Sequence, residues 1–247
     1  MDKKTLETFI KKYHLNGLLE KVRWVVKDNT LKVTAMTQDK KFLTSITQKK
    51  FDGVADSEFG IIETGTLKKM IGAALDNVSL TLVTASDNAA KVLSVVVDDS
   101  KTEVAHQCGD LDCFDPDPKI KQVPTYDVEI TLTEDFIDRF LKAKAALEGD
   151  LFTLVMNKKK QKLEMVLGYN ERRLTNRISL ETPTVAGKDT LQAEVSFSAK
   201  NLKEVLAANP ECKDPVLKVS SAGLAFLEFD TPEFQAQYYM IKTDVED

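Results

Sequence analysis

Two stretches of this chain repeat each other at fixed spacing. One constant offset lays Ile62, Leu67, Lys68, Met70 and Ile71 on Phe197, Leu202, Lys203, Val205 and Leu206. A nearby offset lays Leu6, Phe9, Ile10 and Lys11 on Ile137, Phe140, Leu141 and Lys142. A pattern that recurs once, with its elements in the same order, points to an internal duplication and so to two similar halves. Chance likeness between short amphipathic helices is the competing explanation, and the shared element order argues against it. Between the halves, Phe114 to Pro124 holds three prolines in eleven residues. Proline removes backbone donors and favours an extended chain, so this segment reads as a connector. The expected organisation is therefore a domain at 1–113, a connector at 114–124 and a second domain at 125–247.

Each half reads as two helices and about eight strands. In the first, Leu6, Phe9, Ile10 and Tyr13 have the spacing of one helical face over 5–13. Strands are expected at 18–26, 30–36, 42–47 and 59–63, where β-branched residues alternate between turn signals. A second helix over 66–75 turns Leu67, Met70, Ile71 and Ala74 inward, and strands follow at 78–84, 91–97 and 102–107. In the second half a strand at 126–132 leads to Thr133 as N-cap of a helix with Phe136, Ile137, Phe140, Ala143 and Leu147 inward. Strands at 152–157, 163–167, 177–180 and 193–197 come next. Ser198 caps a helix carrying Leu202, Val205 and Leu206, and strands at 216–220, 224–229 and 237–242 close the chain.

Charge is segregated between these elements. The chain carries −5 overall, yet the four helices together carry +6, which leaves −11 on the rest. If each half lays both helices on one face of its sheets, Lys4, Lys11, Lys69, Lys142 and Lys200 face outward together, flanked by Lys12, Lys68, Arg139 and Lys203. Lysine on a solvated helix face is ordinary for any single helix, and Asp135 and Asp138 beside Lys142 dilute the third one. Taken over all four, the stripe suits sequence-independent attraction to phosphates, because lysine neutralises the backbone without reading base edges.

Other chemistries find no support. The only histidines are His14 and His106, and His106 with Cys108 and Cys113 matches no common zinc spacing. The run Asp110, Asp112, Asp115, Asp117 lacks the glycine and terminal glutamate of a calcium loop. No phosphate loop, nucleophile elbow or metalloprotease motif occurs. The expectation is a non-enzyme with no catalytic residue, no metal and no cofactor. Three cysteines form an odd, sparse set that fits free thiols in a reducing compartment. With neither a signal-peptide core nor a run of about 20 apolar residues, the expected place is the cytoplasm, with no membrane contact.

On the duplication, the basic helices and the proline-bearing connector, the chain resembles the sliding-clamp family, specifically the two-domain clamps of bacteriophages and of proliferating cell nuclear antigen. The likeness spans the whole chain in element order. Locally it rests on Glu58-Phe-Gly-Ile-Ile through Lys68-Lys69-Met-Ile-Gly72, a strand leading into a basic helix, and on Gln237-Tyr-Tyr-Met-Ile-Lys242 before the acidic Asp244-Val-Glu-Asp247. The surface loops depart from cellular clamps, which favours a phage-encoded chain working in host cytoplasm. The resemblance implies an α+β DNA clamp fold, two similar domains with two helices each on antiparallel sheets, closing into a homotrimeric ring around double-stranded DNA. It implies a processivity factor for a DNA polymerase, opened by an ATP-driven clamp loader. It also implies a pocket for partner peptides, matched by position to Met36, Leu43, Phe114, Ile120, Val123, Tyr239 and Ile241. Subunit contacts are expected at edge strands near 78–84 and at 152–157 with 162–167. A non-catalytic structural or protein-interaction protein with a duplicated antiparallel fold is the alternative.

Overall fold

Trp24 organises the first half of the chain. Its ring is fully buried, with Phe9 edge-on at 5.4 Å, Tyr13 edge-on at 6.3 Å and Phe59 tilted at 5.7 Å. The indole N–H donates to the Tyr13 hydroxyl at 3.2 Å. Burial pushes that hydroxyl far above its ordinary range. The computed structural model describes every residue except Met1, Asp117, 119–122, Glu148, Lys158, Thr184, 188–190 and 245–247. The expected connector and the acidic tail therefore lie partly outside the described residues. The chain divides into one unit of Met1–Thr37, Leu43–Lys119 and Asp230–Ala236, and another of Gln38–Phe42, Ile120–Phe229 and Gln237–Asp247.

The first unit runs α1 (Lys3–His14), β1 (Val22–Lys27), β2 (Thr30–Met36), β3 (Phe42–Gln48), β4 (Ser57–Ile61), α2 (Thr64–Ile71), β5 (Ser79–Thr84), β6 (Val92–Asp98) and β7 (Glu103–Gly109). Its antiparallel strand order is β3-β2-β1-β4-β7-β6-β5. Leu6, Phe9, Ile10 and Tyr13 of α1 are each completely buried. At roughly 1.5–3 kcal/mol per buried side chain, that stripe outweighs the Lys3–Glu7 pair at 3.8 Å, which contributes a few tenths of a kcal/mol at most. Packing, not charge, seats the helix. The expected strand at 18–26 begins only at Val22. Leu15 and Asn16 take left-handed backbone (φ 45° and 56°) and the chain makes a single 3₁₀ turn at Leu15–Gly17 before it can extend.

The second unit holds β8 (Val128–Thr131), α3 (Glu134–Leu147), β9 (Leu151–Asn157), β10 (Lys162–Leu167), β11 (Ile178–Glu181), β12 (Val185–Ala186), β13 (Val195–Ser198), α4 (Ala199–Ala208), β14 (Val216–Ser220), β15 (Leu224–Asp230) and β16 (Phe234–Ile241). The sheet orders are β11-β10-β9-β13 and β12-β8-β14-β15-β16. Both expected caps form: Thr133 Oγ1 accepts the Phe136 N–H at 3.3 Å and Ser198 Oγ accepts the Asn201 N–H at 3.1 Å. Phe140 meets Phe152 edge-on at 6.2 Å and 88°. In the first unit its counterpart Phe9 meets Trp24 at 86°, so the repeat extends to the same helix-to-strand aromatic contact.

Two strands expected at subunit edges are interior. β9 is laddered to β10 and β13, and β10 to β9 and β11, so neither offers a free edge and β11 takes that place. The architecture is α+β, antiparallel sheets with two short helices in each of two similar halves.

Candidate nucleic-acid interface

An eight-residue helix such as α2 is marginal alone in water, and its own N-terminus lacks a side-chain cap. The segment around α1 supplies both ends. Thr64 N–H donates to the Glu20 carbonyl at 3.0 Å and Gly65 N–H to Glu20 Oε2 at 2.8 Å. His14 Nε2 donates to Glu20 Oε1 at 2.8 Å. Burial pushes the Glu20 carboxyl up, but the Gly65 N–H and the His14 ring outweigh it and hold the group below the usual carboxylate range. At the other end Lys3 Nζ donates to the carbonyls of Gly72 and Ala74 at 3.0 and 2.6 Å. A carboxylate at the N-terminus and an ammonium at the C-terminus complement the helix dipole. The two helices consequently lie antiparallel, with their apolar stripes down and their lysines up.

In this unit Lys4, Lys11, Lys68 and Lys69 are exposed. Lys4 and Lys11 stand two turns apart on the face opposite Leu6, Phe9 and Ile10, about 10 Å along the axis. None of the four has a carboxylate within ion-pair distance among the described residues. Lys12 departs from expectation: it is completely buried, with its Nζ 5.4 Å from the centre of the Phe234 ring. It sits one residue from Lys11, which rotates it about 100° around the helix and under the surface. Lys12 is thus no candidate for phosphate contact.

In the second unit the start of α4 is tied to the chain just past α3, where Ala199 N–H donates to the Asp150 carbonyl at 2.8 Å. Lys142 and Lys200 are exposed and unpaired among the described residues. Arg139 and Lys203 are exposed as well, but Arg139 pairs with Asp135 at 2.7 Å and Lys203 lies 3.8 Å from Glu204. The basic character is therefore stronger on the first unit's helices.

The expected peptide pocket divides. In the first unit Met36 and Leu43 are cross-strand partners on β2 and β3, with Met36 36% exposed. Phe114 is buried and sealed against the sheet: a Cβ at Gly60 would overlap its ring and one at Gly109 would come within 2.9 Å. Lys21 lies over the same ring, and Arg23 donates to the Phe114 carbonyl at 3.3 Å. This side chain closes the core and is not open to a peptide, a correction to the sequence expectation. In the second unit Val123 and Ile241 are exposed and Tyr239 is half-buried. Tyr239 packs on Phe226 at 4.7 Å, and Phe226 stacks on Tyr126 at 5.9 Å. Burial raises both phenols, Tyr126 to about 12. Sequence reasoning missed Tyr126 and Phe226, although the alternation of β15 pointed Phe226 to the same side of the sheet as its neighbour on β16. Ile120 lies outside the described residues.

The second histidine has a structural partner. His106 Nε2 donates to the Ile62 carbonyl at 2.8 Å. Burial pushes the Cys108 thiol up to about 11, while Cys113 is exposed, and none of the three cysteines forms a disulfide. Among the described residues no cluster of three or more metal-ligating side chains occurs, and no helix is long and apolar enough to cross a membrane.

No protein-family model and no curated protein matches the chain. Its structure is similar to the crystal structure of proliferating cellular nuclear antigen from Entamoeba histolytica, with a TM-score of 0.69 over 98% of this chain and 96% of that one, at 18% sequence identity. The chain has the fold of that protein, the sliding-clamp fold.

Proposed function

We propose that this chain is a DNA sliding clamp, a non-enzymatic processivity factor. The observation that carries the reading is the set of exposed lysines with no carboxylate at ion-pair distance among the described residues, Lys4, Lys11, Lys68, Lys69, Lys142 and Lys200, on helix pairs that recur in both units of an otherwise acidic chain. Lysines of this kind attract duplex DNA through counterion release without reading sequence. That permits tracking. A closed homotrimeric ring turns weak attraction into topological retention and removes exposed sheet edges. Among the described residues β11 has one unladdered side and the stretch Glu103–Gln107 of β7 is laddered to β6 alone, edges suited to such closure.

In this reading a clamp-loader ATPase opens the ring and a DNA polymerase docks a short apolar peptide near Tyr239, Phe226, Val123 and Ile241. A phage-encoded chain would act in the host cytoplasm. The alternative, a structural protein that binds only other proteins, predicts no DNA retention.

Replacing Lys4, Lys11, Lys69, Lys142 and Lys200 together by glutamine tests the assignment. DNA association should weaken and its logarithmic salt slope should fall by about 0.9 for each phosphate no longer neutralised, with little change in thermal midpoint. An unchanged slope would remove these lysines from the DNA.

A further inference from the structure

The loop joining β10 to β11, residues 168–177, is built to hold its tip outward. Gly168 takes a left-handed backbone (φ 72°) beneath the Asn176 carbonyl, and Thr175 Oγ1 donates to the Gly168 carbonyl at 2.5 Å, so the two ends are pinned together. Asn170 Oδ1 accepts the N–H groups of Arg172 and Arg173 at 2.9 and 3.0 Å. At the tip, Arg173 and Leu174 are both exposed. Leu174 is the most exposed large apolar side chain among the described residues. Arg173 has no carboxylate within ion-pair distance among them.

The first unit carries a groove of about 540 Å³ beside the end of β7. Phe59, Val92, Leu93 and Leu111 give it an apolar lining, with Asp110 and Asp112 on the rim. Lys91 pairs with Asp110 at 2.9 Å and also feels Asp87 and Asp112. Lys91 against Asp110 and Asp112 leaves the rim net negative, since Glu58, which also lines the groove, is paired with Arg23 at 2.6 Å.

We propose that in the assembled ring the Arg173–Leu174 tip of one copy seats in the Asp110–Asp112 groove of the next, as a latch beside the paired strand edges. The inference rests on the ring reading above. Strand direction supports it: β7 runs into Asp110, and β11 leads away from the loop. Antiparallel pairing of these two edges between copies sets the chain just before β11 beside the chain just after β7. The chemistry matches as well, an apolar side chain beside a cation against an apolar lining beside carboxylates. A phosphate backbone would leave Leu174 without a partner.

Two measurements on the full chain decide it. Leu174→Cys should form covalent dimers and trimers under mild oxidation through Cys108 or Cys113 of the neighbouring copy, and Cys108→Ser with Cys113→Ser should abolish them. In sedimentation, Arg173→Glu should raise the concentration at which assembly dissociates by about tenfold or more, and adding Asp112→Arg to the same chain should restore it. Cross-links that persist without Cys108 and Cys113, or a charge-swapped chain no tighter than Arg173→Glu alone, would overturn the latch. Normal assembly of Arg173→Glu without cross-linking would overturn it while leaving the ring intact. Normal assembly with weakened DNA retention would assign the tip to phosphates instead. A wild-type chain that stays monomeric at every concentration would remove the ring and the latch together.

Discussion

Glu20 Oε2 accepts the Gly65 N–H at 2.8 Å, so a residue of the turn after α1 caps a helix that cannot cap itself. The Glu20 carboxyl titrates below its ordinary value, which makes the cap pH-dependent with a definite sign. Its contribution is fully present above the unfolded pKa, about 4.3, and is lost as pH falls through the lower folded value. Because the side chain is about half exposed, solvent screening keeps the contribution small, under about 1 kcal/mol. Denaturant midpoints should show Glu20→Gln less stable than wild type at pH 7, with the gap shrinking as pH falls below about 4.3. A gap that is constant across that range would contradict the account.

Gly60 has no room for a side chain, because Phe114 lies where its Cβ would stand. Gly60→Ala should cost about 1–3 kcal/mol through overpacking. In the background of Phe114→Ala the same change should cost much less, since the ring it strikes is gone. Strict additivity in the double-mutant cycle would show that the two do not meet.

Adjacent lysines should behave oppositely. Lys11 is exposed and Lys12 is buried over Phe234. Lys12→Gln should lower stability by about 1–2 kcal/mol and leave the salt dependence of DNA association as in wild type. Lys11→Gln should reduce that dependence with no measurable loss of stability. The reverse pairing of effects would place the wrong lysine at the surface.

Tyr239 shares its face with Phe226. Tyr239→Ala should weaken binding of a polymerase-derived peptide about tenfold or more, as loss of an aromatic anchor does, while stability falls by only about 1 kcal/mol. Calorimetric titration and sedimentation separate the two roles. Loss of assembly with intact peptide binding would make Tyr239 structural.

Helix positions, caps and most strands were legible because period and capping chemistry are local: Thr133 and Ser198 cap the helices expected of them. The duplication was legible too, and the structure carries it further, with Phe9 and Phe140 meeting strand aromatics alike. What failed was long-range. Helical period sets Lys12 on the flank of Lys11's face, but its burial depends on Phe234 far along the chain. Phe114 looked like part of a connector, but Gly60 and Gly109, whose missing side chains make its seat, are distant in sequence. The free edge at β11 likewise depends on which strand ends the sheet, and alternation within one strand cannot specify that.

The central claim is topological retention by a ring. Protein assembled in the presence of a nicked circular duplex should survive a high-salt wash and leave promptly when the circle is cut once by a restriction enzyme. Equal loss from circular and linear DNA, or retention after the cut, would contradict it.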